Sequence, residues 1–301
     1  MTVILRKDQT EDMDWLLKGD RRGLFNDPGT GKSFPAIMAA LDYDAPHNLL
    51  VAPQYLLYNW VDMLVDDFGV PREEIGFELG ETPKRNAVLE NTDLRWTLIN
   101  YEWFSYWSKF PQLLKRKWDV TIADECHKVR GRNSASTKAM YKLKTDVLWP
   151  MTGTPICNNA GDVFPYLKMM DKERFRSYWR FVDEFCKQEM TPWGILVKGP
   201  LEDRGYFEML QQYATMRPFD SIPELTKIKS VEKPMFVELP ASVIASHRRA
   251  LKEYILDHPN LERVEKDSAG AILHLLRKMC SFPPTQEQPK WKVLAELMPM
   301  L

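Results

Sequence analysis

Residues 23–33 read Gly-Leu-Phe-Asn-Asp-Pro-Gly-Thr-Gly-Lys-Ser, and this stretch decides the fold. Gly23–Phe25 has strand character, and Ser33–Leu41 (SFPAIMAAL) reads as a helix, so the glycines fall in a strand-to-helix turn. Glycines there let consecutive backbone N–H groups turn inward on an anion, and the start of the next helix adds partial positive charge. Asp27, Pro28, Gly29, Thr30, Gly31, Lys32 and Ser33 are therefore expected to cradle the phosphates of ATP. In that reading Lys32 reaches the β- and γ-phosphates and the Ser33 hydroxyl sits on Mg²⁺. The full pattern G-x-x-x-x-G-K-[ST] starts with glycine, where this chain has Asn26. On this stretch alone, a plain glycine turn capping a helix remains the alternative.

Outward from the loop, short apolar runs alternate with helical spacing. Asn48–Ala52, Trp96–Ile99, Val120–Ala123 and Val147–Met151 read as strands, while Glu11–Lys18 and Tyr55–Phe68 repeat apolar residues as helices do. This is the pattern of an α/β fold with a mostly parallel sheet covered on both faces. The run Val120–Ala123 ends in Asp124-Glu125-Cys126-His127. Two carboxylates at a strand end suit a Mg²⁺·nucleotide site: Asp124 to hold the metal, Glu125 to take a proton from the attacking water. His127 lies close enough in sequence to sense the γ-phosphate. An Asp-Glu pair on a surface turn is ordinarily solvated charge; its position at a strand end, downstream of a phosphate loop, points to chemistry.

Composition narrows the class without naming it. The chain has 301 residues, 44% apolar and 28% charged, with net charge −1, so nucleic-acid contact requires a local basic face. Cys126, Cys157, Cys186 and Cys280 form no C-x-x-C pair, which argues against structural zinc and for a reducing compartment. No apolar run approaches a membrane span, and the N-terminus lacks a signal-peptide layout. The expectation is an intracellular protein, in the cytoplasm of a bacterial or phage-infected cell or in a nucleus.

Further segments carry a resemblance. Leu5-Arg6-Lys7-Asp8-Gln9 with Trp15-Leu16, Leu49–Pro53 with Leu56-Leu57 and Asn59-Trp60, and Ile99-Asn100-Tyr101-Glu102 occur in order around the loop. Then come Asp124–Ser134, Met151-Thr152-Gly153-Thr154-Pro155-Ile156 with Asn158-Asn159, Tyr213–Arg217, and Leu275–Cys280. Together they resemble superfamily 2 helicase-type motors, and within them the Swi/Snf-like double-stranded DNA translocases. The resemblance implies a RecA-like lobe in which Arg6 and Gln9 contact the nucleotide and Thr152, Gly153 and Thr154 couple ATP to movement. It also implies that Pro53, Gln54, Asn100 and Tyr101, with Lys128, Arg130 and Arg132, face the phosphate backbone of duplex DNA. A solvated basic loop is the alternative for Lys128–Arg132. Pro218 stands where the family usually has a second arginine.

The expected organisation is a RecA-like lobe over 1–239, with a helical insertion near 168–216. A helical protrusion and linker follow over 240–289, and 290–301 opens a second RecA-like lobe. Phe175–Phe185 has helical spacing and is read as the core of the insertion, not as a base-stacking platform. The implied protein is a monomeric DNA-dependent ATPase acting on duplex DNA without strand separation. A strand-separating helicase, a restriction-system motor and an ATP-dependent binding module are the competing readings. Arginine fingers of the Q-x-x-G-R-x-x-R kind are not found in the chain, so residues 1–301 alone are expected to hydrolyse ATP slowly.

Overall fold

A computed structural model describes residues 3–192 and 194–227, residue 245, and the strands Ile255–His258 and Leu261–Glu265. Backbone contacts divide the chain into Met1–Lys229 and Ser230–Leu301, so the first unit ends ten residues short of the expected boundary at 239.

In the first unit the strands are β1 (Gly23–Leu24), β2 (Asn48–Val51), β3 (Ile75–Phe77), β4 (Trp96–Ile99), β5 (Lys117–Ala123) and β6 (Lys144–Pro150). A five-stranded sheet has the order β3-β4-β2-β5-β6, and every pairing is parallel. Successive side chains of a strand point to opposite faces. Accordingly Leu49 and Val51 enter one apolar core and Leu50 the other, and all are fully buried. Burial on both faces is why these strands read as unbroken apolar runs.

The phosphate-loop strand β1 joins this sheet through the bridges Arg21–Leu148 and Leu24–Met151. Its other side pairs in parallel with β9 (Ala214–Thr215), a strand at the end of the expected insertion. The insertion contains helices Tyr178–Phe185 and Tyr206–Gln211. Between them runs an antiparallel hairpin, β7 (Cys186–Thr191) with β8 (Gly194–Pro200), which helical spacing did not reveal. The spacing of RFRSYWRFVDEFCK holds only from Tyr178, because the Ser177 hydroxyl accepts the Arg180 N–H and so starts the helix there. Phe175, Phe181 and Phe185 form the expected aromatic core, with Phe181 5.6 Å from Phe164 and 6.4 Å from Tyr206. Trp179 is the exception and lies exposed.

In the second unit β10 (Ile255–His258) pairs antiparallel with β11 (Leu261–Glu265). Helical spacing predicts a helix over Ala241–Asp257, and its last three residues, Ile255–Asp257, are strand instead. The expected strand Pro234–Leu239, the helix Ser268–Met279, the segment Leu275–Cys280, the linker Ser281–Pro289 and the second-lobe helix Lys290–Leu297 lie outside the described residues.

Candidate active site

The segments that follow the C-terminal ends of β1, β2 and β5 surround a cavity of about 750 Å³. Lys32, Ser33, Asp124 and Glu125, expected together from sequence, all line it. Gly29 and Gly31 have φ of +82° and +77°, the left-handed backbone an inward-turned phosphate loop requires. A Cβ on Gly31 would stand 2.7 Å from Gln9 Nε2. Lys32 Nζ donates to the Asn26 and Asp27 carbonyls at 2.9 and 3.1 Å. Burial lowers its pKa, against the opposing pull of Glu125, Asp124, Asp27 and Asp12.

Asn26 turns out to have a structural task. It is fully buried, donates from Nδ2 to Asp12 Oδ2 at 2.7 Å, and accepts the Arg217 N–H at 2.9 Å. It thereby ties the helix Lys7–Leu17, the loop and the chain after β9 into one buried junction. Arg217 also reaches Asp12 and Glu11, at 3.4 and 3.2 Å, and Asp27 accepts the Phe219 N–H at 2.9 Å. Asp12 was not singled out from sequence, although it lies three residues beyond Gln9 and so on the same helix face.

Arg6 and Gln9, expected on the nucleotide, brace the loop from outside the cavity. Arg6 Nη2 donates to the Thr30 carbonyl at 2.7 Å, and Gln9 Nε2 to that of Gly31 at 3.1 Å. Gln9 Oε1 in turn accepts the Arg6 N–H.

Asp124 is nearly buried. Its Oδ1 accepts the Glu125 N–H at 2.9 Å, and Oδ2 accepts the Trp60 indole N–H at 3.0 Å. Burial raises its pKa to about 6, with the Trp60 hydrogen bond pulling the other way. Glu125 adopts a left-handed φ of +49°, a conformation that costs a non-glycine residue about 1–3 kcal/mol and concentrates at functional sites. Its Oε2 lies 3.0 Å from His127 Nδ1 and accepts from Thr152 Oγ1 at 3.3 Å. Thr152 Oγ1 is also 3.1 Å from His127 Nδ1, and Thr154 Oγ1 is 3.4 Å from it. Burial lowers the His127 pKa, which favours the neutral ring. Gly153 abuts the phosphate loop itself: a Cβ there would meet Pro28 Cγ at 2.7 Å. The Thr152-Gly153-Thr154 turn thus touches both the Glu125 carboxylate and the loop.

The residues present fit a Mg²⁺ ion held mainly through phosphates. Among the described residues no three His, Cys, Asp or Glu side chains converge as a metal cage. Mg²⁺ characteristically takes one or two protein oxygens and completes its shell with phosphate and water. Ser33 and Asp124 supply such a pair on the cavity wall. Asp62, Asp66, Asp67, Asp124 and Glu125 line the same cavity against the single cation Lys32, so ATP without a divalent cation meets mostly negative charge. Asp66 and Asp67 were not singled out from sequence. They reach the cavity because the helix Leu57–Asp62 continues as a π-helical turn, Met63–Asp67.

The residues expected on nucleic acid divide. Gln54, Lys128 and Arg130 are exposed, whereas Pro53 is buried. Asn100 is buried and donates to Gln54 Oε1 at 3.4 Å. Tyr101 is corrected from a surface contact to an internal one: it is 7% exposed, and its hydroxyl donates to the Asp124 carbonyl at 2.6 Å. Arg132 stacks over Tyr178 at 4.1 Å and so fastens the Asp124–Ser134 segment to the insertion. The basic loop therefore offers Lys128 and Arg130 to solvent, with Arg132 committed elsewhere.

Comparison with known proteins agrees with this architecture. The SNF2-related domain family matches residues 8–204. An uncharacterized ATP-dependent helicase of Mycoplasma genitalium is 28% identical over 296 residues, 92% of this chain and 26% of that protein. A probable chromatin-remodeling complex ATPase chain of Oryza sativa subsp. japonica is 28% identical over 306 residues, 93% of this chain and 25% of that protein. The chain thus spans about a quarter of the length of these relatives. The Sulfolobus solfataricus SWI2/SNF2 ATPase core, solved in complex with dsDNA, superposes with a TM-score of 0.61 at 16% identity, covering 100% of this chain and 66% of that one. With most of the first unit inside the family match and the same fold in the solved core, the chain belongs to the SNF2-related domain family.

Proposed function

We propose that this chain is the Mg²⁺·ATP-binding lobe of an intracellular, monomeric DNA-dependent ATPase that moves on or remodels double-stranded DNA without separating its strands. The observation that carries the reading is the junction of Glu125, Thr152 and His127 against a phosphate loop whose lysine and serine face the same cavity. Ser33 and Asp124 hold the metal, which when bound neutralises charge on the β- and γ-phosphates. Lys32 exchanges its loop carbonyls for phosphate oxygens. Glu125, steadied by Thr152, accepts the proton of the attacking water, and the neutral His127 ring links that carboxylate to Thr154. Gln54, Lys128 and Arg130 are proposed to meet the duplex backbone, in keeping with the dsDNA complex of the Sulfolobus core.

No arginine lines the cavity among the described residues, which supports slow hydrolysis by residues 1–301 alone. A second RecA-like lobe, opening at 290–301, is proposed to supply the missing arginines. Among the described residues no helix is long and apolar enough to cross a membrane. The test is a titration with a fluorescent ATP analogue, with and without Mg²⁺, followed by triplex- and strand-displacement assays on the whole protein. Mg²⁺-dependent binding abolished by Lys32→Ala, with triplex displacement and no unwinding, is expected. Strand displacement overturns the translocation reading, and metal-independent binding overturns the site.

A further inference from the structure

Asp124 is held from three directions. Its backbone N–H donates to Val51 of β2 at 2.8 Å, its carbonyl accepts the Tyr101 hydroxyl at 2.6 Å, and its carboxylate accepts the Trp60 indole through Oδ2 at 3.0 Å, beside the adjacent Glu125 N–H through Oδ1 at 2.9 Å. Tyr101 follows β4 and Trp60 follows β2, the two loops that also carry Asn100 and Gln54. Those two side chains bond each other at 3.4 Å where Gln54 reaches the surface. From Gln54 the chain runs through one 3₁₀ turn, Gln54–Leu56, straight into the helix Leu57–Asp62. Gln54 at the surface and Trp60 at the carboxylate therefore sit on one short, continuous helical lever.

The Trp60 indole is not aimed by burial alone. Trp96, Trp103 and Trp149 are as deeply buried, yet their indole N–H groups have no hydrogen-bond partner. An indole has one donor and no acceptor, so the bond to Oδ2, together with the Glu125 N–H on Oδ1, fixes the plane of the carboxylate and the lone pairs it turns toward the cavity. A shift of the lever by a fraction of an ångström changes that bond directly, because interfaces of this packing density do not absorb displacement smoothly.

We propose that Trp60 is a positioning residue. Its indole sets the Asp124 carboxylate for Mg²⁺ and transmits occupancy of the surface at Gln54, which the buried Asn100 bonds from beneath, by the phosphates of duplex DNA, to the nucleotide site. This rests on the reading of Asp124 as a Mg²⁺ residue and of the Gln54 surface as facing DNA. Tyr101 supports the same carboxylate's backbone but carries no part of the carboxylate's aim.

The test measures the Kd of a fluorescent ATP analogue for the full chain in four conditions: with and without Mg²⁺, and with and without saturating duplex DNA. Wild-type, Trp60→Phe and Trp96→Phe are compared. Hydrogen bonds that orient a metal-holding group are worth about 10- to 100-fold in metal affinity. Trp60→Phe is expected to weaken Mg²⁺·nucleotide binding about tenfold, to leave metal-free nucleotide binding unchanged, and to bring the DNA-induced change in Kd to about 1. Trp96→Phe removes the same ring volume with no bond lost and is expected to match wild-type in the linkage. Where Trp60→Phe does not fold, Trp60→His, which keeps a ring N–H, is compared with Tyr101→Phe in its place; linkage preserved in both supports the assignment, and linkage lost in Tyr101→Phe or in Trp60→His overturns it. Wild-type behaviour of Trp60→Phe overturns the role of Trp60, and so do equal losses in Trp60→Phe and Trp96→Phe. A wild-type linkage factor of 1 overturns the transmission. Failure of the wild-type chain to bind Mg²⁺·nucleotide or duplex at all is a different result and overturns the proposed function itself.

Discussion

Asn26→Gly restores the first glycine of the phosphate-loop pattern, and pattern matching alone expects it to improve the protein. The structure expects the opposite. Asn26 Nδ2 donates to a buried carboxylate at 2.7 Å, a bond of about 2 kcal/mol. Its Oδ1 satisfies the Arg217 N–H, which costs about 1 kcal/mol when left unpaired. Glycine adds about 0.7 kcal/mol of backbone entropy. The total of about 4 kcal/mol corresponds to a fall of roughly 10 °C in the thermal midpoint for a unit of this size. The loss also depends on pH. Burial raises the Asp12 pKa above its ordinary 3.8, so in the window above that value the folded form binds more protons and this group's contribution declines as pH rises. The Asn26 amide favours the ionised carboxylate, and its removal raises the Asp12 pKa further. The deficit of Asn26→Gly is therefore larger at pH 7 than at pH 4. Paired thermal melts at both pH values, read by circular dichroism, measure it. A variant as stable as wild-type at pH 7, or one whose deficit shrinks from pH 4 to pH 7, refutes the reasoning.

Glu125→Gln keeps the shape of the proton acceptor and removes its charge; ATP turnover by the whole protein should fall by at least about 10²-fold while Mg²⁺·nucleotide binding persists. Gly153→Ala places a methyl 2.7 Å from Pro28 Cγ, an overpacking of about 1–3 kcal/mol that should appear in equilibrium binding as nucleotide affinity weakened by about tenfold. Asp124 must be ionised to hold a divalent cation, and its pKa stands at about 6, so the ratio of Mg²⁺·nucleotide to metal-free affinity should be flat above pH 7 and fall as pH drops below about 6. Lys128→Ala and Arg130→Ala should each reduce the salt slope of duplex binding by about 0.9, whereas Arg132→Ala should leave it unchanged and cost about 1 kcal/mol of stability, because its guanidinium is stacked on Tyr178.

The parts of the fold legible in the sequence are those governed by local rules. The strands Asn48–Val51 and Trp96–Ile99 stand out because burial on both faces demands unbroken apolar runs, and the loop stands out because only glycine adopts the φ of positions 29 and 31 readily. The short strand Ile75–Phe77 sits at one edge of the sheet and shows no such run. The hairpin β7–β8 was hidden because Cys186–Thr191 is almost entirely exposed and carries no apolar signature. In the site, Lys32, Ser33, Asp124 and Glu125 announced themselves through spacing. Asp12 and Asp66 did not, and Trp60 and Arg217 stood only within resembling segments with no role assigned, because their roles depend on partners from 14 to 205 positions away or on a π turn that no residue type specifies. Tyr101 was placed on the right loop and assigned the wrong direction, since spacing does not say which way a side chain at a strand end turns.

The partnership of β1 with β9 has a consequence for how the protein is made. Asp27 and Phe219 are bonded across 192 positions, and Asn26 and Arg217 across 191. Ribosomes add about 5–20 residues per second, so the phosphate loop emerges roughly 10–40 s before the segment that seals it. During that interval the Asp12 carboxyl and the Asn26 amide have each other and no third partner. The nucleotide site is thus begun early in synthesis and finished late, and a nascent chain halted within the insertion would display a phosphate loop that is complete in sequence and unlocked in structure.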